Sequence, residues 1–149
     1  MTAALEASMS RFVRDAEDWL QRYSPKEWIR AAMKELHLAE QSYAQRNVRA
    51  GIAGCKRAAG MALNAALIEE PNPTWKRTYV EHLEALAGDA SVPEAVSGAA
   101  RTILEAKPAT PSLVIIRSRA GDERILEATR DVIAHAFAVA TRHETRHEA

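Results

Sequence analysis

Between Met9 and Tyr23, apolar side chains recur every three or four positions: Phe12, Ala16, Trp19, Leu20 and Tyr23. That spacing predicts an amphipathic helix. A stop and a restart follow at SPKEW. Ser24 is placed to cap, Pro25 suits a first helical position, and Glu27 would close a capping box. A second helix is therefore expected from Pro25 to about Arg46, with Trp28, Ala32, Leu36, Ala39 and Tyr43 on its inner stripe. Asn47 breaks it. A third helix runs from about Val48 to Glu70, its inner face built from Ile52, Cys55, Ala59, Ala62, Leu63, Ala66 and Leu67. Small residues crowd this stretch (Gly51, Ala53, Gly54, Ala58, Gly60), which lets a neighbouring helix come close at some cost in helix propensity.

Pro71 and Pro73 end the third helix. Thr74 is the expected cap of a short helix from Trp75 to Ala87, stopped by Gly88. SVPE, from Ser91 to Glu94, has the form of another capping box, starting a helix to about Ala106. Lys107 and Pro108 close it. Residues 108–121 hold the one β-like run, Leu113 to Arg117. A lone strand has nothing to pair with, so a loop or a helical turn is expected there. A last helix should start near Asp122 and reach about Arg146. Long helices with short connections predict an all-α, antiparallel up-and-down bundle of about four long helices and one or two short ones. The 149 residues suit a single domain with a real core, with 1–24 as an extra N-terminal helix.

Composition narrows the function classes. The net charge is zero, so a polyanion would have to be met by a local patch. Lys56, Arg57, Lys76, Arg77, Arg117 and Arg119 are candidates for one. Cys55 is the only cysteine, which excludes an internal disulfide and a cysteine metal cluster. It reads as a buried, inert thiol. Trp19, Trp28 and Trp75 read as core rather than as base-stacking platforms. No apolar run is long enough for a membrane span and no signal-peptide pattern opens the chain, so a cytoplasmic protein without a membrane partner is expected.

The last helix carries three overlapping patterns. His143 and His147 fit the spacing of the zinc-protease pattern in HETRH. Only Glu148 and Ala149 follow, with no further ligand, and the segment has no apolar face. The expectation is a frayed, solvated tail over 142–149, no metal site and no cofactor. RHETRH, from Arg142 to His147, shares that tail and would not be held in place. RDVIAH lies inside the packed part of the helix. At about 100° per residue, Ile125, Thr129, Val132, Ile133, Ala136, Val139 and Ala140 form its core stripe. Arg130, Asp131 and His135 fall outside it, and Arg130 and His135 stand about 140° apart around the axis. Between them lie Glu127, Ala134 and Ala138. A second copy packed on that alanine face would bring two arginines and two histidines near one axis. A plain solvated face is the alternative.

TRDVIAHAF, from Thr129 to Phe137, resembles the signature of the HEPN superfamily. The stretch from Ala31 to Leu67 resembles the two leading helices of such domains, and WKRTYVEHLEALA resembles the segment where they carry a histidine before a leucine pair, here His82, Leu83 and Leu86. The similarity covers about residues 28–140. It implies a helical bundle that dimerises, often through the helix bearing the motif. Many members are metal-independent endoribonucleases; others bind nucleotides or pair with nucleotidyltransferases in toxin–antitoxin systems. The resemblance assigns Arg130 to the scissile phosphate, which a guanidinium grips bidentately, and His135 to proton transfer. Asp131 would orient one of them or be a plain exposed carboxylate. His82 and Glu127 are weaker candidates for supporting or binding roles. The implied function is metal-independent RNA cleavage at a dimer-interface Arg130/His135 site. The alternatives are a non-catalytic nucleotide- or partner-binding module and a dimerisation scaffold. Expected partners are RNA or a nucleotide, a second copy, and a nucleotidyltransferase or antitoxin.

Overall fold

A computed structural model describes Asp15, residues 17–108 and residues 119–148; in the last stretch, side chains are described for 120–142. Its elements are a 3-10 turn (Trp19–Arg22), α1 (Pro25–Ala44), α2 (Val48–Glu69), a second 3-10 turn (Pro73–Trp75), α3 (Tyr79–Ala87), α4 (Glu94–Glu105) and α5 (Arg119–Glu148). Among the described residues there is no strand, and the chain is an all-α helical bundle. The β-like run Leu113–Arg117 lies outside the described residues.

The start of α1 is the one its sequence dictates. Ser24 Oγ accepts from Glu27 N–H at 3.2 Å, and the Glu27 carboxylate accepts from Ser24 N–H at 3.0 Å. Its inner stripe is the expected one: Trp28, Ala32, Leu36, Ala39 and Tyr43 are buried. Trp28 also donates its indole N–H to the Leu20 carbonyl at 2.7 Å, which ties the 3-10 turn to the bundle. Ahead of that tie the expected helix from Met9 to Tyr23 is not continuous. Asp18 has extended φ/ψ and its side chain accepts from Leu20 N–H, so an aspartate that competes with the helical ladder caps a single turn instead. Residues 1–14 lie outside the described residues.

Arg46, with φ 61°, turns the chain between α1 and α2, and Asn47 caps α2 by accepting from Ala50 N–H. The small residues of α2 do bring neighbours close. A Cβ on Gly54 would sit 3.0 Å from the Ala39 Cβ of α1, and one on Gly60 only 2.3 Å from the Tyr79 Cβ of α3. Cys55 is fully buried in this seam, and burial raises its thiol pKa.

Two helix starts differ from expectation. Thr74 does not cap α3. Thr78 does, in a reciprocal capping box with Glu81, because Lys76 turns the chain through φ 57° between the two helical segments. Ser91 does not cap α4, whose N-cap is Pro93 with no side-chain bond. Ser91 instead donates its hydroxyl to Asp89 at 2.6 Å and its N–H at 2.8 Å. That local turn outcompetes the cap and fixes the Asp89 carboxylate.

The core stripe of α5 is as expected: Ile125, Thr129, Val132, Ile133, Ala136, Val139 and Ala140 are all buried. Leu126 and Ala128 are buried too, so α5 packs over a wider arc than the stripe alone, against α1, α2 and α4. Its backbone stays helical to Glu148, and Arg142 docks on Glu70 of the α2 C-terminus rather than fraying into solvent. Among the described residues no helix is long and apolar enough to cross a membrane.

Candidate functional site

The two residues of the RDVIAH pattern do not meet. Arg130 leans toward α1. Its Nη1 lies 2.9 Å from Glu123 and 3.1 Å from Glu127, and its Nη2 lies 3.8 Å from Glu40. Those carboxylates raise its pKa, the hydrogen bond to Glu123 most of all. Glu127 is thus a partner of Arg130, about one turn away on the same helix. Asp131 is exposed and forms neither a hydrogen bond nor an ion pair with any described residue. It orients neither Arg130 nor His135.

His135 points the other way, into a cleft of about 510 Å³ at the end of the bundle. That volume falls in the range of small-ligand sites. Leu67, Trp75, Val92 and Val139 supply its apolar wall, and Glu70, Asp89 and Arg142 are its charged groups around His135. His135 is half-buried, and none of the described residues hydrogen-bonds its ring. Burial holds its pKa below the ordinary histidine value. The nearby Arg142 pushes the same way, against Asp89 and Glu70. At neutral pH it is therefore an uncharged imidazole with a free lone pair, the form a general base needs.

Arg142 reaches this cleft because it stands seven residues after His135. Seven steps of 100° return to within about 20° of the same face, and helical side chains lean toward the N-terminus. Its Nε donates to Glu70 Oε2 at 2.7 Å and its Nη2 contacts the same oxygen. Both partners are well exposed, at 54% and 39%, so this latch contributes under about 1 kcal/mol and a competing anion can open it. The RHETRH pattern names Arg142 but pairs it with His147; the heptad step back to His135 is what brings it to this cleft, where Glu70 holds it. Nothing in the sequence pointed to Glu70 or Asp89.

His82 lies on the short helix α3 and faces the core. It is fully buried, with Nδ1 3.1 Å from the Trp75 carbonyl and Nε2 2.8 Å from Asn64 Oδ1. Burial depresses its pKa, so the ring is neutral and carries one N–H. With that N–H donating to Trp75, the Asn64 amide must turn its NH₂ toward Nε2. The turn also serves Asn64 Nδ2, which otherwise has no partner among the described residues. Trp19 and Trp75 flank the ring at 6.3 and 6.0 Å. Both are only partly buried, unlike Trp28. His82 thus holds up the Trp75 wall of the cleft and does not touch its contents.

Outward from the core, α5 shows Ala134, Phe137 and Ala138, with Phe137 52% exposed. Arg130 and His135 lie on opposite flanks of this face. The side chains of the HETRH zinc pattern after Arg142 lie outside the described residues. Among those described, no group of three histidine, cysteine or carboxylate side chains is placed to hold a metal. No family model matches this chain, and neither does any curated protein or solved structure.

Proposed function

We propose that this chain is a HEPN-like helical domain that binds RNA at the His135 cleft and cleaves it without a metal ion. The observation that carries this is the pairing of a neutral, half-buried imidazole with an arginine in one ligand-sized cleft. His135 takes the proton of a ribose 2′-hydroxyl. The 2′-oxygen attacks the adjacent phosphorus, the bond to the 5′-oxygen breaks, and that oxygen takes a proton from water. The products are a 2′,3′-cyclic phosphate and a 5′-hydroxyl. Arg142, released from Glu70, neutralises the phosphoryl oxygens, the part that the family resemblance gives to Arg130. Arg130 would join only in a homodimer formed through the Ala134–Phe137–Ala138 face, since a single chain keeps it on the far flank. An antitoxin or nucleotidyltransferase partner belongs to this same reading.

The test is cleavage of RNA in EDTA by the wild type, His135→Ala, Arg142→Gln and Arg130→Gln, with oligomeric state checked for each. Loss of cutting in the first two variants is the expected result. Loss in Arg130→Gln alone would move the site to the dimer axis. No cutting by the folded wild type would sink the nuclease.

A second reading has its own support. Both arginines already sit on carboxylates, and Glu70 and Asp89 suit the hydroxyls of a ribose better than its phosphate. On that reading the cleft holds a nucleotide without cutting it, and calorimetry with mononucleotides would detect binding where the RNA assay detects nothing.

A further inference from the structure

The His135 cleft has one cation and holds it on a carboxylate. Among the described residues that line it, Arg142 carries the only positive charge, since His135 is neutral, and Glu70 and Asp89 are the negative ones. Asp89 keeps to Ser91, which donates to its Oδ1 twice. Glu70 takes Arg142 on a single oxygen, through Nε at 2.7 Å and through Nη2. Nε and Nη2 form one of the two forks with which an arginine grips phosphate oxygens, and Nη2 belongs to the other fork as well. A phosphate entering the cleft therefore meets an occupied guanidinium and a carboxylate that repels it.

Glu70 stands where local chemistry argues against a carboxylate. It is the C-cap of α2, directly after Glu69, and no basic residue lies in the last turn of that helix. The negative end of the helix dipole disfavours an anion there. The cap itself needs no carboxylate, because it is the Glu70 backbone N–H that donates to the Ala66 carbonyl. Relief comes from another element, from Arg142 of α5. A residue that breaks a local rule and is balanced by a group in the cleft points to a role in the site rather than in the fold. The pair is well exposed and weak, so it opens to a ligand instead of locking the cleft.

We propose that Glu70 is an autoinhibitory latch on the cleft, occupying Arg142 until a phosphate group displaces it. This rests on the phosphate-binding role proposed for Arg142, but it concerns how the cleft is held against anions and not whether it cuts.

The experiment is a titration with inorganic phosphate at constant ionic strength, followed by the NMR signals of the His135 ring, for wild type, Glu70→Gln, Arg142→Gln and the double variant. Glu70→Gln binds phosphate about two- to fivefold more tightly than wild type, the worth of an exposed ion pair. Arg142→Gln loses the binding, and the double variant behaves like Arg142→Gln. The gain in Glu70→Gln shrinks as sodium chloride screens the pair. Thermal melts separate a latch from a structural brace. Glu70→Gln stays within about 1 °C of wild type, because the lost pair and the relieved helix end offset each other. Arg142→Gln melts about 1–4 °C lower, since it leaves the carboxylate at the end of α2 without this counter-ion. Equal phosphate affinity in wild type and Glu70→Gln overturns the latch, as does a Glu70→Gln that melts as low as Arg142→Gln. His135 signals that phosphate leaves unmoved in every variant overturn it too. RNA cleavage in EDTA on the same samples keeps the two readings apart. Tighter phosphate binding by Glu70→Gln with no RNA cut sinks the nuclease and leaves the latch. Cutting by wild type with an unchanged KM in Glu70→Gln does the reverse.

Discussion

Arg130 and His135 sit five residues apart on one helix and serve different neighbourhoods. The arginine is held by Glu40, Glu123 and Glu127 on the α1 side; the histidine faces Asp89 and Arg142 across a cleft. A pattern that looks like one site in the sequence is two in the fold, joined only by the backbone between them.

Arg130→Gln therefore reads first as a stability change. Its side chain is 37% exposed, so the loss is under about 1 kcal/mol in spite of three carboxylate neighbours. Urea melts at low and high salt should show the loss shrinking as salt screens the cluster.

His135 should titrate below the usual histidine range, and its neighbours should move it in known directions. Arg142→Gln raises its pKa by removing a repelling cation. Asp89→Asn lowers it further by removing an attracting anion. NMR titration of the ring proton checks both without any substrate. If the nuclease is real, kcat/KM rises with pH through that same value.

His82 makes stability depend on pH with a definite sign. Its folded pKa lies below the unfolded value of about 6.5, so the unfolded chain binds the proton more readily. Its contribution is complete above pH 6.5 and is lost as pH falls from there through the folded pKa. His135 shifts the same way, so the comparison of wild type with His82→Leu isolates the His82 share. His82→Leu also strands the Asn64 amide, costing about 1–3 kcal/mol, and Asn64→Leu in that background recovers part of it.

Two glycines predict opposite outcomes for one substitution. Gly60→Ala drives a methyl into Tyr79 Cβ and Cγ, a clash worth about 1–3 kcal/mol. Gly98→Ala, inside α4, meets only Arg101 Nη2 at 3.8 Å and gains up to about 1 kcal/mol of helix propensity. Thermal melts of the pair should move in opposite directions.

What the sequence carried was local chemistry. The Ser24–Glu27 capping box, the Asn47 break and the buried stripes of α1 and α5 all follow from spacing. The misplaced helix starts have one cause: Thr78 and Ser91 sat among rival turn-formers, and only the fold decides between them. Asp131 admits two readings for a similar reason, since spacing does not show which neighbours its carboxylate meets. The cleft was out of reach because Glu70 and Arg142 are 72 residues apart and Asp89 owes its position to Ser91. Trp19 reads as core because spacing cannot show that its neighbour Asp18 turns extended and starts a separate single turn there.

The three-residue link between α1 and α2 has a kinetic consequence. Among the described elements these two helices share the most extensive packing and are adjacent in the chain, so they can zip together at little loop-closure cost. α5 must return across the length of the chain to reach them. Folding should then nucleate in the α1–α2 hairpin, with Leu36→Ala and Ile52→Val slowing folding and Val132→Ala mainly speeding unfolding. High φ-values in α5 would overturn this order. The helix that bears the cleft histidine would be the last to lock, and the cleft would exist only once everything else had formed.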